Sequence, residues 1–408
     1  MSSSSPIGLG TALNDGTLGL VGCAIVLVAA VVWSANSMHV ERTDFALTYV
    51  GAKMVQGGMG RHLYDIGKQV QLRDSMFRDA SPIYFEHPPF EALALAPLAS
   101  IPFRTAYLIW GVFNVIVVLA VMVWLRRYLL WPSEDLVYVC LWLLFAPIAV
   151  AIYQGQSSVI VLGVFAATFV LLKNNHPLAA GAALGIGLLK FQFVVPMAIV
   201  FLLRRQWRFL GGFALSAAVL GVLSGIAVGW SGLIDYARLL TRVGSNPQNI
   251  SLGSAVDMPT LHGLVYALAG KHITAAGLSA VVALLSIALL TWIAREWKGG
   301  SDFDLMFAAG TAASLLSGAH MFTQDFSPLI PSMYVAGLAL RKLRGKLRVV
   351  LAIVLIVFWT FPLYLFLIGW HCLYLMAIAL LAFTWACVRG AELARNRQAI
   401  HTHTVAAG

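Results

Sequence analysis

Long apolar runs alternate with short polar connections along most of the chain, and one segment breaks that rhythm. A run of about 20 mostly apolar residues is long enough to cross a hydrocarbon core ~30 Å thick as a helix. On that measure spans are predicted near 18–36, 105–125, 135–153, 157–172, 209–229, 273–294, 303–319, 326–340, 349–368 and 371–388. Residues 177–203 are apolar too, but Lys190 and Gln192 interrupt them and Pro196 follows. That pattern predicts two half-length helices meeting at Lys190, because irregular backbone at membrane depth is tolerated where it lines a polar cavity.

The exception is Thr43–Pro102, the long polar stretch within a first external loop, 36–104. Phe45, Tyr49, Ala52 and Val55 recur at helical spacing, and Ile66–Phe77 carries its charges on one face. Both predict amphipathic helices at the membrane interface, separated by Gly57-Gly58 and Gly60. Pro88-Pro89 forces an extended turn before the apolar piece Phe90–Ala99. A second external loop, 230–272, is also large enough to cover a site.

Composition sharpens this. Charged residues are 11% of the chain and hydrophobic residues 60%, against about 25% charged in a soluble domain. The fold class is therefore an all-α, polytopic integral membrane protein, one domain over 1–408, with about 10–12 spanning or half-spanning helices. Net charge is +10, but the basic residues flank helices (Arg126-Arg127, Arg204-Arg205, Arg341–Arg348) and set orientation. Placing them in the cytoplasm leaves 43–102, Gln154-Gly155-Gln156, 230–272 and His320–Asp325 together on the opposite face. No basic run interleaved with aromatics suggests a nucleic-acid partner. The four cysteines lie in apolar runs without a CxxC pair, and no His, Cys or carboxylate spacing suggests a metal site. No cofactor is expected. Met1–Thr17 lacks the basic start of a cleaved leader, so 18–33 is expected to be a retained helix.

Asp44, at the start of a helix just past the first span, is the leading chemical candidate. An acid there is either a solvated helix-end carboxylate or a functional one. Lys190 either snorkels to an interface or lines a cavity. Gln154 and Gln156 either cap backbone groups at a turn or hold substrate oxygens. Arg238 and Arg242 follow Asp235 at helical spacing and either pair with it or meet an anion. His320 is either a hydrogen-bonded structural residue or a ligand for an anion.

Thr43-Asp44-Phe45, Tyr49-Val50-Gly51-Ala52-Lys53, Leu63-Tyr64-Asp65, Glu86-His87-Pro88-Pro89-Phe90, Tyr153-Gln154-Gly155-Gln156-Ser157 and Ser317-Gly318-Ala319-His320 with Asp325 carry a resemblance. In order and spacing they resemble glycosyltransferase family 87, of the GT-C superfamily, which includes polyprenol-phosphate-mannose-dependent mannosyltransferases. Gly318-Ala319 stands where the family tends to have Ser-Pro. The resemblance implies an inverting hexosyltransferase, mannosyltransferase-like, in a bacterial inner membrane, with its site on the periplasmic face. Its partners would be a polyprenyl-phosphate sugar donor, a lipid or glycan acceptor and membrane lipids. It implies Asp44 as general base and His320 near the departing phosphate. From the residues themselves, Lys190, Gln154, Gln156, Arg238, Arg242, Tyr49, Glu86, His87 and Asp325 are the substrate-binding candidates. The alternative is a transporter or flippase of lipid-linked sugars, which would need polar groups along a path through both leaflets.

Overall fold

The computed structural model describes residues 15–37, 39–78, 80–82, 84–129, 135–245, 255–299 and 302–406. Among the described residues the regular structure is helical, with no strands. A chain this apolar has little water to satisfy its amides, and a helix satisfies them within the segment.

Helix α1 (Asp15–Asn36) leads into three shorter helices, α2 (Asp44–Gln56), α3 (Ile66–Met76) and α4 (Pro89–Leu95). A long α5 (Phe103–Leu129) follows, then α6 (Asp135–Leu144), α7 (Ala146–Gln154) and α8 (Ser158–Lys173). Next come α9 (Pro177–Ile186), α10 (Phe191–Leu203), α11 (Trp207–Ser245), α12 (Leu261–Ala269) and α13 (Ala275–Glu296). The last five are α14 (Phe303–Leu316), α15 (Ile330–Leu340), α16 (Gly345–Trp359), α17 (Phe361–Gly369) and α18 (Met376–Ala406). Among the described residues, six stretches are able by length and composition to cross a membrane, and up to eight if each of two bent helix pairs is one span. The chain is a polytopic membrane protein.

Prolines account for the main departures from the predicted spans. The run 135–153 is broken at Phe145 into α6 and α7, bent by 53°. The run 349–368 is broken at Thr360 into α16 and α17, bent by 72°. Pro147 and Pro362 sit in the first turn of α7 and α17. There a proline fits, whereas within a continuous helix it would lose a hydrogen bond and clash with the preceding turn. The predicted span 326–340 is a 3-10 segment, Thr323–Leu329, followed by the 11-residue α15, about 16 Å of helix at 1.5 Å per residue. Residues 177–203 do break near Lys190, at a 3-10 turn, Gly187–Lys190. The two halves nonetheless remain one candidate span of 27 residues, a distorted crossing rather than two separate half-helices.

Helix α2 also differs from the expected interfacial helix. Phe45, Ala46, Tyr49, Val50, Ala52 and Met54 are all buried. Phe45 packs against the rings of Phe103, Tyr107 and Trp110, with centroids 5.9, 5.8 and 6.3 Å away. Helix α2 is thus folded into the bundle, whereas α3 buries only Gln69. The polar segment also meets α11, which continues past Gly229 (φ 69°, ψ 178°) into residues expected to be loop. A Cβ on Gly60 would collide with the backbone oxygen of Ala227, so this contact depends on glycine. Likewise a Cβ on Gly181 or Gly212 would strike Phe209 or Leu178 backbone, and these glycines let α9 and α11 approach closely.

Candidate active site

Asp44 is the first residue of α2, and Thr43 before it is extended (φ −74°, ψ 156°). The first amides of a helix have no partner within it. Gln154 Oε1 accepts from the Asp44 amide at 3.1 Å, and Gln156 Nε2 donates to Asp44 Oδ2 at 2.5 Å. Both glutamines come from one turn. Gly155 between them is left-handed (φ 63°, ψ 34°) and ends α7, a conformation that costs glycine little. Its carbonyl accepts from Trp110 Nε1 at 2.8 Å, and the Tyr153 carbonyl accepts from the Tyr107 hydroxyl at 2.5 Å. Thus α5 fixes the turn, and the turn fixes the acid. Burial pushes the Asp44 carboxyl up from its ordinary value, against the Gln156 hydrogen bond and the positive charge of Lys190.

Asp44 opens on a cavity of about 1000 Å³. Gln156, Glu86, His87, Lys190, His320 and Asp325 also line it. The structure therefore brings together most of the candidate residues, drawn from widely separated parts of the chain. Gln154 stands one hydrogen bond behind Asp44. Tyr49 is elsewhere: its hydroxyl donates to the Ile101 carbonyl at 2.6 Å, and its ring packs on Phe103. Arg238 is 67% exposed and pairs with Asp235 at 3.1 Å, outside the cavity lining. The side chain of Arg242 lies outside the described residues.

Lys190 and Asp325 meet at 2.5 Å, at 7% and 1% exposure. Ser158 donates to the same carboxylate oxygen at 2.6 Å, and the Phe322 amide donates to the other at 3.0 Å. Burial works to raise the Asp325 carboxyl, but Lys190 with these donors holds it below the usual carboxylate range. This pair ties the 3-10 turn at 187–190 to α8 and to the segment after α14. His320 stands beside it, with Nε2 3.5 Å from Gln192 Nε2. Burial, more than any neighbour, pushes its imidazole down to about 4, so it is neutral near pH 7 and offers one N–H.

Much of the remaining lining is apolar. Val282, Ala283 and Ile287 of α13 form it with Phe361, Leu365 and Ile368 of α17. Ile287 and Leu365 are each 57% exposed, so apolar side chains are left uncovered in this lining. The bend at Thr360 is what turns α17 towards it. Polar groups and exposed apolar side chains in one cavity suit an amphiphile with a charged head and a hydrocarbon tail.

Several contributors were not recognised in the sequence. Gln69 is 3% exposed; it donates to the carbonyls of Leu63 (2.6 Å) and Phe85 (3.2 Å) and accepts from the Phe85 amide (2.7 Å). It thereby holds the irregular stretch carrying Glu86 and His87. On an amphipathic helix such a residue reads as solvent-facing. Glu91, Ser158, Gln192 and His262 were likewise missed. Two of them carried a signal: Glu91 in its four-residue spacing from His87 across a helix start, and Gln192 as a polar break in an apolar run.

A polytopic helical bundle enclosing an acid-bearing, partly apolar cavity defines the class, a multi-pass membrane protein with an internal site. The model of glycosyltransferase family 87 matches residues 85–323, more than half of the chain, and the chain belongs to that family. No curated protein matches it. Asp44 and Asp325 fall outside the matched segment, and the fold is what joins them to it.

Proposed function

We propose that the chain transfers a hexose, with mannose the first candidate, from a polyprenyl-phosphate sugar to a hydroxyl of a lipid or glycan. The reading places it in a bacterial inner membrane, in the GT-C architecture, with the cavity on the periplasmic face. The observation that carries it is the pairing of a half-buried carboxylate with exposed apolar side chains in the lining of one cavity. Such a lining accommodates a prenyl tail while the sugar phosphate reaches the polar groups.

A hydroxyl is a poor nucleophile until a base takes its proton. In this mechanism Asp44 takes it as the acceptor oxygen forms its bond to the anomeric carbon. The bond from that carbon to the phosphate oxygen breaks, and its electron pair leaves with the lipid phosphate. One displacement inverts the anomeric centre. Asp44 suits the base: its partner is a neutral amide, whereas Asp325 is already paired with Lys190. Family membership favours this chemistry over passage of lipid-linked sugars.

The test is transfer by the purified protein in lipid, given polyprenyl phosphates carrying mannose, glucose or galactose and, separately, the nucleotide sugars. Label should move from a lipid-linked donor and not from a nucleotide. Transfer from a nucleotide sugar alone would overturn the donor assignment. The rate should also fall on the acid side as Asp44 becomes protonated, at a higher pH than for an exposed aspartate because burial raises it.

A further inference from the structure

A lipid phosphate that departs from a sugar gains negative charge, and the cavity has to meet that charge with a cation or oriented donors. Among the described residues, the basic groups lining it are Lys190, His87, His262 and His320. Lys190 is neutralised by Asp325 at 2.5 Å. Burial lowers both His262 and His320 and leaves them uncharged near neutrality. His87 is the remaining group, and its surroundings differ from those of the other two.

His87 precedes the Pro88-Pro89 start of α4, and Glu91 lies four residues on, inside the first turn. Glu91 Oε2 approaches His87 Nδ1 at 2.9 Å, with the carboxylate side chain 8% exposed. At that distance the carboxylate pairs with the imidazole directly. The Phe85 ring lies 5.5 Å from the imidazole, and the Tyr64 hydroxyl donates to the His87 carbonyl at 2.8 Å. With Nδ1 against Glu91, Nε2 is the ring nitrogen left for another partner. Other charged or titratable groups bear on the pair: Asp44 from α2, Lys190 from the 187–190 turn, and Tyr236 from α11, stacked on Tyr64 at 4.9 Å. Burial works to lower the imidazole, but Glu91, helped by Asp44, outweighs it and raises it above the ordinary histidine value.

We propose that His87 receives the leaving phosphate as an imidazolium, donating from Nε2 to a phosphate oxygen, and that Glu91 is the positioning residue that keeps it charged and aimed. This rests on the lipid-phosphate donor proposed above. His87 keeps its proton throughout: the acceptor proton goes to Asp44, and the electron pair of the broken bond stays on the phosphate. His87 and Asp44 line the same cavity, so the group that holds the phosphate and the base are separate residues.

Farnesyl phosphate is the probe, because it carries the leaving group whatever the sugar. Its binding to the purified full chain in lipid nanodiscs is measured as a function of pH. Wild type should bind it and lose roughly tenfold to a hundredfold in affinity as His87 deprotonates, the worth of one charge-assisted hydrogen bond. Glu91→Gln should move that loss to lower pH, since the charge favouring the imidazolium is gone. His87→Gln should abolish the pH-dependent loss and bind weakly throughout. The second ionisation of the probe, near pH ~6, is common to all three proteins and cancels in the comparison. The half-buried His87 makes His87→Gln the decisive variant if Glu91→Gln fails to fold. An unchanged pH-dependent loss in His87→Gln overturns the dyad and leaves the donor assignment standing. A wild-type protein that binds no farnesyl phosphate at any pH overturns both.

Discussion

Asp44→Asn is expected to lower sugar transfer by roughly 10²- to 10⁴-fold, the usual worth of a positioned general base. Binding of farnesyl phosphate should stay within a few-fold of wild type. The reason for the split is local. Asparagine keeps the size of the side chain and an oxygen for Gln156 Nε2, and the Asp44 amide still donates to Gln154. Only the ability to accept a proton is removed. Initial rates with a saturating lipid-linked donor, beside equilibrium binding of the product analogue, separate the two effects. Transfer by Asp44→Asn at near the wild-type rate would remove this carboxylate from the chemistry, whatever the cavity binds.

Lys190→Met should act on stability first. It strands Asp325, which is 1% exposed, as a buried carboxylate with Ser158 and the Phe322 amide as its remaining partners. Breaking a buried pair from one side costs about 3–5 kcal/mol. Replacing both partners with apolar residues of similar size is often close to neutral, so Lys190→Met with Asp325→Leu should recover most of the loss. Thermal or denaturant unfolding in lipid or detergent reads this directly. A free phosphate-binding lysine would behave differently: the single variant would unfold normally and lose affinity for farnesyl phosphate. Wild-type stability in Lys190→Met would show that the ion pair carries little of the fold.

Much of this arrangement is visible in the residues because the bilayer is a strict solvent. Charged residues are scarce, so each polar block in an apolar chain marks a place where water, substrate or another polar group is at hand. That is why Asp44, Glu86-His87, Gln156, Lys190 and His320-Asp325 drew attention before the structure placed them on one cavity. The helix bends were equally written in the chain, as Pro147 and Pro362 inside apolar runs. Hydropathy alone smooths over them, because a proline barely changes the mean of a long window. What the sequence hid was partnership. Nothing in the spacing of Lys190 and Asp325 says that they neutralise each other across 135 residues. Nothing marks Gln69, on a polar helix, as the buried clamp on the stretch that carries His87. Tyr49 and Arg238 show the converse error, in which residue type suggests a ligand and the fold supplies a different neighbour. Tyr49 is spent on the Ile101 carbonyl and Arg238 on Asp235.

The measurement that bears most directly on a single displacement assisted by Asp44 is the anomeric configuration of the first glycosidic bond the enzyme makes. With a lipid-linked donor of known anomer, NMR of the product should show the opposite configuration. A product that keeps the donor's configuration would contradict it, because retention calls for a second, nucleophilic step that one base beside a paired Asp325 does not provide.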